Sequence, residues 1–335
     1  MPTTPRLLFK LVNLKTDHVV IQLLLLVKSC STRMPKLTVH TFGTAPVDIY
    51  YETYGSGLHH VLFVNGMSSI AHLWDLQIEY FLQFPEYSLC IFDNRGSGFS
   101  SSPIGRYTTS MMAKDTFELI RHLGWLDSVH IVALSMGGMI AQELALMLGD
   151  AVKSLCLVST YCKPTGILIQ PPSFKEMLQF ITPKYPTLES YAEMTVCMLF
   201  PETWLNSPCI RDISHVTNRS YAVKYFLDRL AVTGFQTAVG RTAQHAAVLS
   251  HFFDERLSQL SKHTYPILVM AGDQDQIVRQ PTSSEYLAER LNARMKIYFG
   301  GGHALRLQDP EWHNKHVHEN IKLGIKAQID ESTNR

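Results

Sequence analysis

Val129-His130-Ile131-Val132-Ala133-Leu134-Ser135-Met136-Gly137-Gly138-Met139-Ile140 is the stretch whose reading decides the fold. Val129–Leu134 has the length and the β-branched, aliphatic content of a strand buried on both faces. Met139–Leu148 has a helical pattern that Gly149 stops. Between them Ser135 stands at the apex of a turn too tight for large side chains two residues before and two residues after it. Ala133 and Gly137 supply the small residues, so the pattern is A-x-S-x-G where G-x-S-x-G is usual. Such an elbow lifts the serine Oγ above a sheet. It also puts the Met136 N–H at a helix N-terminus, where orphan donors and the helix dipole favour an oxyanion. The plainer reading of the same residues is a serine N-cap in an ordinary βα unit.

Outward from this turn, short apolar runs recur at Val61–Val64, Leu89–Phe92, Leu155–Val158, Ile267–Ala271 and Met295–Phe299. Helical stretches such as Ser110–Leu123 separate them. Ahead of them, Leu37, Val39, Val47, Ile49 and Tyr51 alternate around Phe42-Gly43-Thr44-Ala45-Pro46, which predicts a β-hairpin. The pattern is that of an α/β fold with a mostly parallel central sheet, an N-terminal hairpin and flanking helices. From about 161 to 232 the alternation stops. Seven prolines fall between short helical pieces, with helix faces marked by Phe174, Met177, Leu178 and Ile181, and by Tyr191, Met194 and Met198. This segment is read as a helical lid inserted over one end of the sheet, with Phe180, Leu199 and Phe200 adding to an apolar roof or to packing against the sheet.

The chain has 335 residues, 46% hydrophobic and 18% charged, with a formal net charge of +1. That balance lacks the basic excess that nucleic-acid binding requires. Six scattered cysteines with no C-x-x-C pair read as reduced thiols in a reducing compartment. Residues 1–33 carry Arg6, Lys10, Lys15, Lys28 and Arg33 against Asp17 alone. Their apolar run Val19–Val27 is far shorter than the roughly 20 residues of a membrane span. This extension is read as disordered or as a mitochondrial transit peptide, with secretion disfavoured and Met34 a candidate start. The expected location is intracellular, cytoplasmic or mitochondrial. The domain is expected over 34–335.

A serine hydroxyl needs a base to act as a nucleophile. Of fifteen histidines, His303 is singled out because Gly300-Gly301-Gly302 after the strand Met295–Phe299 can swing it back over the sheet edge. An exposed loop histidine is the alternative. Past Ile267–Ala271 stand two aspartates, Asp273 and Asp275, either of which could orient that imidazole. After Val61–Val64 comes Asn65-Gly66-Met67, where the Met67 N–H is the candidate second oxyanion donor. Asp93-Asn94-Arg95-Gly96-Ser97-Gly98-Phe99-Ser100 lacks the lysine of a phosphate-binding loop and is read as a structural turn, with Arg95 and Asp93 paired. His313-Asn314-Lys315-His316-Val317-His318 is read as a solvated helix face rather than a metal site.

These segments together resemble the α/β-hydrolase superfamily, in its esterase-like branch, over residues from about 36 to 323. Five of them, Asn65–Met67, Asp93–Ser100, Ala133–Gly138, Gly272–Val278 and Gly301–His303, fall in the superfamily's order. The resemblance implies the α/β-hydrolase fold and selects Asp275, the second aspartate of the Gly-Asp-x-Asp pattern, as the third member of a triad with Ser135 and His303. It departs at Asn65, where His is usual, and at Ala133-Leu134, where Gly-His is usual. It implies a serine hydrolase acting on a carboxylic ester or thioester of a small or lipid-like apolar molecule. No cofactor, metal, nucleic acid or transmembrane segment is expected. Two alternatives stand beside it: an acyltransferase passing the same acyl group to an alcohol, and a catalytically idle binding protein.

Overall fold

Alternating burial organises the chain into layers. In the computed structural model, which describes residues 35–40, 45–163, 187–278 and 282–333, eight strands form one sheet. They are β1 (Lys36–Val39), β2 (Val47–Gly55), β3 (His59–Val64), β4 (Tyr87–Phe92), β5 (Val129–Leu134), β6 (Val152–Val158), β7 (Ile267–Gly272) and β8 (Arg294–Tyr298). Their order across the sheet is β1-β2-β4-β3-β5-β6-β7-β8. β1 pairs antiparallel with β2 and β2 antiparallel with β4, and every later pairing is parallel. The expected hairpin is therefore present as a strand pair, while most of its turn lies outside the described residues.

The helices are α1 (Asp75–Phe81), α2 (Thr109–His122), α3 (Met136–Leu148), α4 (Leu188–Leu199), α5 (Glu202–Leu205), α6 (Asn218–Thr233), α7 (Ala238–Leu249), α8 (Leu257–Leu260), α9 (Thr282–Leu291), α10 (Leu305–Gln308) and α11 (Pro310–Thr333). Successive side chains of a strand point to opposite faces. Accordingly Leu62 and Val64 of β3 pack under α2, α3, α8 and α9, whereas Val61 and Phe63 pack against α1 and α11. β4, β5 and β7 are buried along their whole length, while the edge strand β8 is half-exposed. Phe299, expected in β8, lies beyond its end and is 82% exposed. The thiols of Cys90, Cys156, Cys162 and Cys209 are free and buried, and that of Cys197 is free and exposed.

Between β6 and β7 the described residues hold α4 to α8. Ala192, Val196 and Phe200 pack on Tyr221, Ala222 and Phe226 to form a third apolar cluster, which also touches Ile70 and Leu73. The face marked by Tyr191, Met194 and Met198 lies on α4. The face marked by Phe174, Met177, Leu178 and Ile181 falls outside the described residues, as does the basic extension. Helical structure runs past residue 232, through α7. Among the described residues no helix is long and apolar enough to cross a membrane.

Two sequence expectations need correction. Arg95 does not pair with Asp93. Its Nε and Nη2 donate to both carboxylate oxygens of Asp115 on α2, at 2.5 and 2.6 Å. Asp93 instead accepts the backbone N–H groups of Ala71 (2.6 Å) and Phe99 (2.8 Å), and burial pushes its carboxyl up to about 6. The second correction concerns the histidine run on α11. Lys315 is exposed, but His313 and His318 are buried against α1, with His313 near Trp74 and His318 among Tyr80, Phe81, Phe84 and Tyr87. A helix contacting two layers buries more than one narrow stripe, and a neutral imidazole packs there as an aromatic.

Burial disfavours the imidazolium, so the His130 and His313 pKa values fall to about 3 and about 4. Unfolded, each group titrates near 6.5. Below that pH the unfolded chain binds more protons, so stability is intact above pH 6.5 and is lost as pH falls towards the folded values. Each such histidine contributes a slope of up to about 1.4 kcal/mol per pH unit in that window. Denaturant melts between about pH 6 and pH 4.5 should show His313→Leu with a slope shallower than the parent's by roughly that amount.

Candidate active site

The sheet order reverses at β3: the chain leaves it for β4 on one side and later returns to place β5 on the other. The crevice beyond the carboxyl ends of two such strands is where open α/β sheets hold ligands. The β3 loop, Asn65-Gly66-Met67, and the β5 turn at Ser135 flank it.

The turn has no intervening loop. α3 begins at Met136, three residues earlier than the helical pattern alone predicts, and Ser135 takes φ 57°, ψ −121°. A non-glycine residue there is strained by about 1–3 kcal/mol and persists only where its surroundings hold it. Hydrogen bonds and close backbone packing do so here. Ser135 N–H donates to the Val158 carbonyl (2.8 Å), and Thr160 Oγ1 donates to the Ser135 carbonyl (2.7 Å). Gly137 runs so close beneath the Val64 carbonyl that a β-carbon would collide with it. A β-carbon on Gly138 would likewise collide with the Thr160 side chain. A β-carbon on Gly66 would stand 3.2 Å from the Ser135 Cβ, so the β3 loop lies directly against the serine.

The other wall is the loop after β8. His303, 5% exposed, places Nδ1 2.8 Å from Asp275 Oδ2. The other Asp275 oxygen accepts the Ile277 N–H (2.8 Å) and the Val278 N–H (3.0 Å). Asp273 faces elsewhere: it accepts the N–H groups of Gly300 (2.6 Å) and Gly301 (3.3 Å) and shapes the glycine turn. Gln308 closes that turn, accepting from Gly302 N–H at 2.8 Å and donating to the Gly300 carbonyl at 2.7 Å. The His303 N–H donates to the Leu199 carbonyl at the end of α4 (2.8 Å), tying the histidine to the inserted helices.

Ser135 and His303 line one cavity of about 200 Å³, together with Gly66 and Met67. Met136 is buried behind the serine, and its N–H, first in α3, has no acceptor within the helix. Much of the wall is apolar: Tyr191, Met198 and Leu199 of α4, Phe226 and Leu230 of α6, and Val248 and Leu249 of α7. Of the residues expected to form an apolar roof, Phe200 instead packs inside the third cluster, stacked on Trp204. Sequence reasoning missed two cationic wall residues, Arg229 and Arg306. Arg306 lies three residues beyond His303, and that charge between Leu305 and Leu307 was the available signal. Ser68, with φ 56°, was also missed: its N–H donates to Gln244 Oε1 (2.9 Å), fastening the β3 loop to α7. Among the described residues no cluster of three His, Cys, Asp or Glu side chains is placed to hold a metal ion.

The chain belongs to the alpha/beta hydrolase fold family, whose model matches residues 59–310. It is 27% identical over 287 residues to RutD of Azorhizobium caulinodans, named as a carbamate hydrolase, covering 85% of this chain and 97% of that one. It is 22% identical over 283 residues to 3-oxoadipate enol-lactonase 2 of Acinetobacter baylyi, covering 84% of this chain and 96% of that protein. Among solved structures, a thermophilic esterase from Thermogutta terrifontis superposes with a TM-score of 0.68 at 22% identity, over 88% of this chain and 99% of that one.

The His303–Asp275 contact has a direct signature. An imidazole Nδ1 proton held by a carboxylate is shielded from exchange and resonates far downfield. Proton NMR should show that signal in the parent and in Asp273→Asn, and lose it in Asp275→Asn. Its loss in Asp273→Asn alone would reverse the assignment of the two aspartates.

Proposed function

We propose that this chain is a serine hydrolase that cleaves a carboxylic ester, or a close relative such as a lactone or thioester, through an acyl-enzyme. The observation that carries this reading is Ser135, held on a strained turn in the same cavity as a histidine whose far nitrogen faces a buried carboxylate. Relatives named as a carbamate hydrolase and an enol-lactonase support hydrolysis as the reaction type.

In this mechanism Ser135 Oγ attacks the substrate carbonyl carbon while its proton passes to His303 Nε2. Asp275 keeps the proton on Nδ1 and stabilises the imidazolium. The N–H groups of Met67 and Met136 receive the oxyanion, each contributing about 3–4 kcal/mol to the transition state. The bond to the leaving oxygen or sulfur breaks as His303 returns the proton to it. Water then attacks the acyl-enzyme, gives a proton to His303 and releases the acid, and Ser135 recovers its proton. The helices between β6 and β7 act as the lid, with Tyr191, Met198 and Leu199 roofing the cavity. At about 200 Å³, that cavity is below the roughly 300–1,000 Å³ of pockets for drug-sized ligands, which favours a small substrate over a long-chain lipid.

A fluorophosphonate probe should label the parent and leave Ser135→Ala unlabelled. The same substitution should lower kcat on a short-chain p-nitrophenyl ester by about 10⁴-fold or more, because nucleophile and base act as a unit. Equal labelling of both proteins would refute the mechanism. Ester turnover in the presence of excess alcohol should yield free acid as the main product; a dominant new ester would identify an acyltransferase instead.

A further inference from the structure

Arg306 is a guanidinium sealed into the cavity wall with too few partners. The residue is 4% exposed, and its Nε, shielded from solvent, has no hydrogen-bond acceptor. Among the described residues its side chain makes a single, long hydrogen bond, Nη2 to Ser69 Oγ at 3.4 Å. Its carbon Cζ lies 4.7 Å from the centre of the Trp74 ring, so an aromatic face covers one side. A buried cation ordinarily has a carboxylate partner and saturated N–H groups, since leaving one bare costs several kcal/mol.

The neighbouring arginine shows what a satisfied site looks like. Arg229 Nη2 donates to Asp75 Oδ2 (2.9 Å), Nε to the His72 carbonyl (3.0 Å) and Nη1 to the Tyr225 carbonyl (2.9 Å). Asp75 is thus already engaged, and two guanidiniums share one nearby carboxylate. Among the described residues, no aspartate or glutamate lines the cavity. Burial strips the Arg306 cation of enough solvation to lower its pKa to about 10, which leaves it charged at neutral pH.

We propose that Arg306 is the binding site for a free carboxylate on the substrate, so that the ester or lactone cleaved at Ser135 also carries an acid group. The guanidinium fork matches a carboxylate with two parallel N–H bonds, and the missing counter-charge arrives with the ligand. The placement suits this role. Arg306 follows His303 by three residues on α10, and Ser69, which it touches, follows Met67 by two on the β3 loop. Trp74 backs the guanidinium, and the burial of Arg306 leaves a pair formed there little screened, which strengthens it.

This inference rests on the hydrolase reading for what happens at Ser135, but its test is made on binding alone. Ser135→Ala protein is titrated calorimetrically with monomethyl glutarate, with O-acetylglycolate and with neutral dimethyl glutarate. The first two place the carboxylate on the acyl and the alcohol side of the ester, respectively. At least one anion should bind about tenfold or more tighter than the diester, as charge-assisted hydrogen bonds of this kind provide. Adding Arg306→Met should abolish that preference, while the cooperative melting temperature of the unliganded protein stays the same or rises, because an unpaired buried charge has been removed. If Arg306→Met fails to fold, Arg306→Lys decides: an ammonium cannot make two parallel bonds, and the preference should fall by roughly threefold or more. Binding of the neutral diester as tightly as both anions, or a preference undiminished by the Arg306 substitution, overturns the proposal. Either result leaves the fluorophosphonate test of Ser135 untouched.

Discussion

A single backbone constraint organises the site: the chain passes from β5 into α3 with no loop between them. That passage requires φ 57° at Ser135, a conformation that L-residues disfavour. Its neighbours must therefore supply the restraint. Val158 and Thr160, at and beyond the end of β6, hold the serine's N–H and carbonyl. On the other side, the Val64 carbonyl leaves no room for anything larger than glycine at 137. The elbow thus depends on β3 and β6 being the two neighbours of β5, as the sheet order makes them. Swap either strand and the same dodecapeptide has nothing to brace it. Alanine at 133 satisfies the turn in place of glycine because that residue is buried inside the strand, where only a small volume is demanded.

The histidine side is built by different means. Its loop contains three consecutive glycines and would be floppy on its own. Asp273 and Gln308 bind its N–H and carbonyl groups from two directions, and the Leu199 carbonyl takes the His303 N–H. The last contact joins His303 to the C-terminal end of α4, the helix that also roofs the cavity. The placement of α4 and that of the His303 backbone are therefore tied through one hydrogen bond. Asp275 stands outside this linkage. Its second oxygen is held by the two backbone N–H groups that follow it, which fixes the carboxylate whatever α4 does.

Much of this was legible in the chain because it is local. Strand runs, the elbow spacing and the hairpin alternation each lie within fifteen residues, and the strands fall where those runs predict, with ends displaced by a few residues. The helical pattern alone begins at Met139, but the elbow spacing already puts a helix N-terminus at Met136, and the smallness of Gly137 and Gly138 serves a contact with β3 and Thr160. The pairing of Arg95 with Asp115 was hidden for a different reason. The two residues are 20 apart in sequence, and only the docking of α2 brings them together. Likewise, polarity alone suggested solvent for His313 and His318, but α11 packs against both the sheet and α1. The choice between Asp273 and Asp275 could not be made from spacing, since both follow β7. In the fold they separate by direction, one towards the glycine turn and one towards the imidazole.

The cavity combines two demands that composition cannot reveal together. Its roof is apolar, which by itself favours an uncharged acyl or alkyl group. Its floor carries a guanidinium that the protein leaves unsatisfied, in a setting where a charge interacts far more strongly than in water. An apolar roof does not oppose recognition of an acid here; it makes recognition possible, because a carboxylate exchanges its hydration for the Arg306 fork only where water is kept from competing. A neutral substrate would fill the same space and leave the cation bare, and the site would then discriminate against it through the protein's own unmet charge. Selectivity of this kind depends on α4 and α6 staying in place. On the proposed function, the contact between Leu199 and His303 would then bear on substrate choice as well as on the placing of the imidazole.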